Sequence, residues 1–502
     1  MRNFFGIFLL MFIFCSQLSA QKQLTLEDFF VDGTFRTKGV YGLRSMNDGE
    51  HYTVLENNGT RIVKYSYKTG LPVATLLDLK TLEDSPVSRI DDYTFNADES
   101  RILICTNKKP IYRRSFTADY YLFDFKNKEI KPLSEGGSQR LATFSPTGLQ
   151  VAFVRDNNLF IHDIRFGSER QITRDGQYNH IINGAPDWVY EEEFAFNRAF
   201  EWAPDGSAIA YIKFDESDVR EFQMNMFEGQ SPALKQNELY PSNYVYKYPK
   251  AGEKNSKVSV YVYDVSDRTT TKMDTGEEDD IYLPRIRWTQ DPKKLAIIRL
   301  NRHQNKMEVL LANAKVGTIV PLYREENKYY IDESNLDNLV FLDNGTQFVI
   351  TSEKSGYMHL YLYDLNGRER QAITKGNFDI IDFYGYDPVR KLFYYSSYEE
   401  SPFEKYIYSI NEKGLKKKLT PVKGWNEASF SKNFNYYINV VSNTDTPPVT
   451  ALYNAKGKQV RVLEDNKAVK EAVKAYNLAK PEFIQIPAAD GKTMLNAWIM
   501  KP

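Results

Sequence analysis

A chain of 502 residues with a net charge of −1 offers no basic surface for nucleic acid or for an anionic membrane. Tyr and Phe number 35 and 31 and aromatics reach 14%, which favours strands over helices. The length exceeds what one ordinary core fills, unless the chain is a repeat array. In chain order, Met1-Arg2-Asn3 gives a basic tip, and the apolar run from Phe4 to Phe14 is about eleven residues long where a membrane span needs about 20. Ser19-Ala20 before Gln21 offers a small-residue cleavage point, although Leu18 is larger than the ideal, so 1–20 is expected to be a cleaved signal peptide, with an uncleaved anchor as the lesser alternative, and the protein to be exported, to the periplasm or the cell surface of a bacterium. Cys15 falls inside that signal and leaves Cys105 without a cysteine partner, so the exported portion relies on its core and not on disulfides.

After an extension at 21–35, one unit recurs over 36–466: an apolar residue, a tight polar turn, an alternating strand, a gap, and further strands. Its clearest copies are Thr143-Phe144-Ser145-Pro146-Thr147-Gly148 and Glu201-Trp202-Ala203-Pro204-Asp205-Gly206, each followed by an apolar strand. Weaker turns fall at Asn47-Asp48-Gly49, Asn96-Ala97-Asp98, Gln290-Asp291-Pro292, Asp343-Asn344-Gly345, Asp387-Pro388 and near Asn433. The spacing suits four-stranded propeller blades, and a closed ring would remove the edges and the unburied face that each unit has alone. The expected class is all-β, an eight-bladed β-propeller; a sandwich of unrelated strands is the alternative that the in-phase turns disfavour. The interval from Gly206 to Pro292 is too long for one repeat. It must hold an excursion, and its Tyr, Met and Pro suit an interface better than a flexible linker. After about 465 the repeats stop, and 467–502 reads as a short helix over 468–478 followed by a hairpin around Ala489-Asp490-Gly491-Lys492.

Chemistry concentrates at Asp187-Trp188-Val189-Tyr190-Glu191-Glu192-Glu193, at the joint between two repeats. Asp187 can cap a short helix, and acidic residues suit its first turn. Consecutive helical positions lie about 100° apart, so three glutamates cannot share one direction, but two neighbours can converge on a small cation such as a peptide's free ammonium group. A solvated acidic turn is the plain alternative. Arg113-Arg114 stands between two strands of the second repeat, where a guanidinium can meet a carbonyl or brace the glutamates, or simply face water. None of the five histidines has metal-type spacing, no phosphate-binding glycine loop is present, and no Gly-x-Ser-x-Gly occurs, so neither a metal nor a cofactor is expected.

The acidic segment resembles the glutamate motif of the dipeptidyl peptidase IV family, within the prolyl oligopeptidase group of serine peptidases. Tyr112-Arg113-Arg114-Ser115-Phe116-Thr117-Ala118 resembles the family's arginine segment, and Tyr248-Pro249-Lys250-Ala251-Gly252-Glu253-Lys254-Asn255 a third one, in the same order. The resemblance implies an eight-bladed propeller capping an α/β-hydrolase domain, of which 467–502 would be the linker and the incomplete beginning. It implies that Glu192 and Glu193 bind the substrate's ammonium group, that Arg113 contacts a carbonyl, and that Xaa-Pro or Xaa-Ala dipeptides are released from peptides with a free N-terminus. It also implies a homodimer formed through an arm at 220–248. The catalytic Ser, Asp and His are not in this chain, so these residues alone are expected to be inactive, as a truncated form of the enzyme. A non-catalytic peptide-binding propeller of the cell envelope is the alternative; a tripeptide-releasing or acyl-peptide relative is a weaker one, the acyl version offering the glutamates no cation.

Overall fold

The computed structural model describes residues 22–228, 234–476 and 478–501, so the signal peptide expected at 1–20 lies outside the described residues. Eight antiparallel sheets follow one another along the chain, at 44–78, 92–132, 140–171, 181–272, 281–326, 340–372, 380–418 and 425–464, hereafter blades 1 to 8. The expected eight-bladed β-propeller is the observed fold. In every blade but the fourth, four strands pair strictly in sequence order. The first strands of blades 2, 3, 4 and 5 contribute to the lining of one cavity, a convergence that the axis of a ring provides; they are the innermost strands. The fourth strands, such as Glu129–Pro132 and Lys416–Lys418, are the most exposed. Middle strands are covered on both faces by neighbouring blades, and so Gln150–Arg155 is buried from Val151 to Val154 without alternation.

The recurrent turns join the first strand of each blade to the second, and several neighbouring turns touch. Gly206 closes its turn through Gly206 N–H donating to Ala203 O at 2.8 Å, with φ +76°, a conformation that glycine adopts without a Cβ penalty. Asn47 in blade 1 donates to Ala97 O of blade 2 at 2.8 Å, and Gly206 of blade 4 packs on Thr147 of blade 3. The circuit ends where Asn433 Nδ2 of blade 8 donates to Glu50 of blade 1 at 3.4 Å.

Among the described residues blades 1 and 8 share no strand, so side chains close the ring. Tyr67 stacks on Tyr436 with centroids 5.5 Å apart, within a cluster that includes Tyr52, Val54, Ile438 and Leu452. Beside it, the buried Asn466 amide ties the two ends of the propeller together: Oδ1 accepts from Lys38 N–H at 2.7 Å, and Nδ2 donates to Lys38 O at 2.9 Å and Pro448 O at 2.8 Å. Its backbone is left-handed, φ +48°, which asparagine tolerates better than alanine. Asn466→Ala is therefore expected to lower unfolding free energy by about 3 kcal/mol, read from urea denaturation; a loss below about 0.5 kcal/mol would show that the ring closes without it.

Three details differ from the sequence reading. The helix expected over 468–478 is Lys467–Val473, after which the chain turns to Tyr476, whose ring packs on Phe35 and whose hydroxyl donates to Asp28 at 2.5 Å. The excursion without steady period contains a paired hairpin, Glu221–Met226 with Ser242–Lys247; residues 229–233 at its tip lie outside the described residues. Its first strand is exposed throughout, so there is no buried face to impose alternation. The third difference concerns the acidic segment, which lies within a blade and not between two.

Candidate functional site

Blade 4 has a broken innermost strand. Ile181–Asn183 and Phe200–Trp202 both pair with Ala208–Asp215, and the chain between them leaves the sheet over 184–199. The neck of this excursion is sealed by backbone bonds: Gly184 N–H donates to Ile212 O, Ala199 N–H to Gly184 O and Ile212 N–H to Ala199 O, all within 3.0 Å. The helix Trp188–Glu193 sits on the excursion, and residues 195–198 just after it line the cavity that the first strands share. From sequence the segment is expected at a joint between repeats, because Ile181–Asn183, at three residues, is too short to show a strand pattern.

The helix is short and is held by its surroundings. Asp187 caps it, Oδ1 accepting from Tyr190 N–H at 2.9 Å, while Oδ2 accepts from Ser256 Oγ at 2.5 Å. Burial pushes the Asp187 carboxyl above the usual carboxylate range, against these two bonds. Tyr190 is fully buried among Phe194, Phe214 and Tyr282, and its hydroxyl accepts from Leu283 N–H at 3.0 Å. Trp188 packs on Tyr248 with centroids 4.2 Å apart, so the segment Tyr248–Asn255 returns to the acidic helix, and Ser256 directly after it supplies the hydroxyl to the cap.

The three glutamates take three directions, as helical geometry requires. Glu191 points inward and has no exposed surface; its Oε1 accepts from Arg114 N–H at 2.6 Å and Ser115 N–H at 2.7 Å. Asn197 Nδ2 donates to Arg114 O at 3.0 Å, so the excursion grips the loop 111–115 of blade 2 from two sides. Glu192 is partly buried and its Oε2 accepts from Arg113 Nε at 2.8 Å, while the Arg113 side chain stays 71% exposed. Glu193 is exposed and carries no hydrogen bond or ion pair among the described residues. Burial raises the Tyr282 phenol and Glu193 adds to the shift, which puts the Glu193 carboxylate within electrostatic reach of the start of blade 5. Glu192, Glu193 and Arg113 thus share one region, and Arg114 contributes only backbone to it. Glu191 and Asn197 were not singled out from sequence. The spacing of Asp187 and Glu191, one helical turn apart and therefore on one face, is the signal that marks Glu191 as the buried member.

Below the cap, at the root of the hairpin, Glu216 is buried. Burial, then the Asp187 charge, raise its carboxyl to about 8, against the pull of Lys247. A carboxyl whose folded pKa is raised binds its proton more readily in the folded state, so its stabilising contribution is present below about pH 4.5 and is lost as pH rises to about 8. Relative to Glu216→Gln, which stays neutral, the wild-type melting temperature is expected to fall across that window and to run parallel above it. Parallel curves throughout would show that Glu216 titrates normally. Cys105 is buried, and burial raises its thiol to about 11, which leaves it unreactive. Among the described residues, no group of three or more His, Cys, Asp or Glu is arranged to hold a metal ion.

This architecture has clear relatives. Residues 96–448 match the family model described as the dipeptidyl peptidase IV (DPP IV) N-terminal region. Dipeptidyl peptidase 4 of Trichophyton rubrum is 30% identical over 421 residues, covering 80% of this chain and 53% of its own length. That of Arthroderma otae is 29% identical over 426 residues, with 80% and 53% coverage. The crystal structure of Porphyromonas gingivalis dipeptidyl peptidase 4 superposes with a TM-score of 0.90 at 41% identity, over 96% of this chain and 67% of that one. The chain spans about half the length of the curated relatives it matches. With the family model covering most of the propeller, the chain belongs to the dipeptidyl peptidase IV family and comprises its N-terminal propeller portion.

Proposed function

We propose that this chain is the substrate-gating propeller of an exported serine dipeptidyl aminopeptidase that releases Xaa-Pro and Xaa-Ala dipeptides. The observation that carries the reading is the acidic helix set into the innermost strand of blade 4, with Glu192 and Glu193 adjacent on it and Arg113 beside Glu192. In this reading the two carboxylates receive the substrate's ammonium group and Arg113 contacts a carbonyl of the bound peptide. Cleavage stops two residues in because a longer segment would push the amine past the carboxylates. The nucleophile and its base belong to an α/β-hydrolase domain, which the hairpin Glu482–Pro487 and Met494–Ile499 would begin. The names of the relatives and the additional length of their chains support this assignment. The hairpin Glu221–Met226 with Ser242–Lys247 exposes Phe222, Met224 and Met226 and is proposed as the arm of a homodimer.

The test is binding. Two charge-assisted contacts of about 1.5 to 3 kcal/mol each give a free-amine peptide an advantage of about a hundredfold or more over its N-acetylated form. Calorimetric titration of this chain with both forms of an Xaa-Pro peptide measures that ratio. Equal affinity would exclude the ammonium clamp.

A further inference from the structure

A cavity of about 570 Å³ is lined by the first strands of blades 2 to 5, by Phe116 and Tyr120 of the third strand of blade 2, by residues 195–198 that follow the acidic helix, and by Asp337 at the approach to blade 6. Its charged lining is Arg198, Arg285, Arg287, Glu201 and Asp337, three guanidinium groups against two carboxylates. Two of the cations are fully engaged. Arg285 forks onto Asp337, at 2.6 Å from Nε and 2.8 Å from Nη2, and also donates to Phe194 O at 2.7 Å, the backbone just after the acidic helix. Arg287 bridges Glu201 and Asp337.

The third, Arg198, has no carboxylate partner among the described residues; its hydrogen bond is to Thr143 Oγ1 at 3.3 Å. The side chain is open to solvent, yet desolvation by the surrounding protein lowers its guanidinium pKa, with Glu201 opposing the shift and Arg287 adding to it. Arg198 lines the cavity itself and is open to solvent from it. Phe95, Phe116, Leu141, Phe144 and Phe196 provide apolar walls, which strengthen any charge pairing there.

We infer that Arg198 is the anchor of a carboxylate-binding subsite in this cavity, which takes the C-terminal or an acidic side-chain carboxylate of a peptide whose ammonium group is held at Glu192 and Glu193. The ligand is a monoanion because the lining has one cation in excess and because Glu201 and Asp337 would repel a dianion. Arg198 and the glutamates stand on the same excursion, 184–199. Arg198 lies five positions after Glu193, so their α-carbons lie at most about 18 Å apart, and a short peptide can span the two. An acidic grip at one end of the excursion and a cationic one at the other would read a peptide's polarity.

The inference rests on the ammonium reading above, and the experiment separates the two. Ala-Pro-(Gly)n peptides, with n from 1 to 6, are titrated into this chain as free acid, as C-terminal amide and as N-acetyl derivative. At the length that spans the site, the free acid is expected to bind about tenfold tighter than the amide. In Arg198→Gln that ratio falls to about one while the N-acetyl effect persists; Arg198→Lys, which keeps the charge, retains part of the ratio. An amidated peptide ending in Asp that regains affinity extends the subsite to side-chain carboxylates, and one that does not restricts it to the chain terminus. An acid-to-amide ratio near one at every length, or a ratio unchanged in Arg198→Gln, overturns the subsite and leaves the ammonium clamp standing. Loss of both discriminations in the wild type overturns both.

Discussion

Glu192→Gln is expected to reduce the affinity of this chain for free-amine peptides by about 10- to 150-fold and to leave N-acetylated peptides almost unaffected. The substitution keeps the shape of the side chain and removes its charge. A partly buried carboxylate beside a protein wall pairs with an ammonium group at an effective dielectric well below that of water, and that is where such a contact has its full value. The fold should tolerate the change, because the partner lost within the protein is Arg113, which is 71% exposed, and exposed ion pairs contribute about 0–1 kcal/mol. A melting temperature near wild type beside a collapsed amine-to-acetyl ratio is therefore the expected pair of results. Glu193→Gln is expected to have the smaller effect, since Glu193 is the more exposed of the two carboxylates. Unchanged amine discrimination in Glu192→Gln would place the ammonium site elsewhere.

The propeller was legible because its turns recur in phase. Each copy carries the Asp, Asn, Pro or Gly that a tight turn demands, and the structure puts all eight turns at the same junction, between the first and second strands of a blade. Such local chemistry survives in sequence because the turn is satisfied mainly by its own residues: Gly148 N–H closes onto Ser145 O at 2.8 Å whatever blade 3 packs against. The broken inner strand of blade 4 was not legible. Its two fragments are three residues each, and what defines them as one strand is the shared partner Ala208–Asp215. The acidic helix could be placed in sequence but not oriented. That Glu191 turns inward depends on backbone donors from residues 114 and 115, which lie 76 or more positions away in the chain. Arg198 was invisible for the same reason: an arginine after a helix becomes distinctive only when Glu201 and Asp337 are seen to be taken by Arg285 and Arg287.

The division of labour among the glutamates makes the support of the helix as consequential as its exposed face. Six residues cannot form a stable helix on propensity alone, so Trp188–Glu193 exists because tertiary contacts hold it. Tyr190 provides the largest of these. Tyr190→Ala removes a fully buried ring packed against Phe194, Phe214 and Tyr282 and is expected to destabilise the protein by about 3–5 kcal/mol, the range for truncating a large aromatic in a core. Tyr190→Phe isolates the hydroxyl. The Leu283 N–H then loses its 3.0 Å acceptor in a site without water access, at an expected cost of about 1–3 kcal/mol. The ring contacts survive in the Phe variant, so the helix should stay seated and the amine-to-acetyl ratio should remain close to wild type. In the Ala variant the helix loses its seat, Glu191 no longer fixes the 111–115 loop, and Glu192 and Arg113 part. Urea denaturation combined with peptide titration distinguishes the cases: a Phe variant that loses amine discrimination while retaining its unfolding midpoint would mean that the hydroxyl, and not the packed ring, sets the position of the carboxylates.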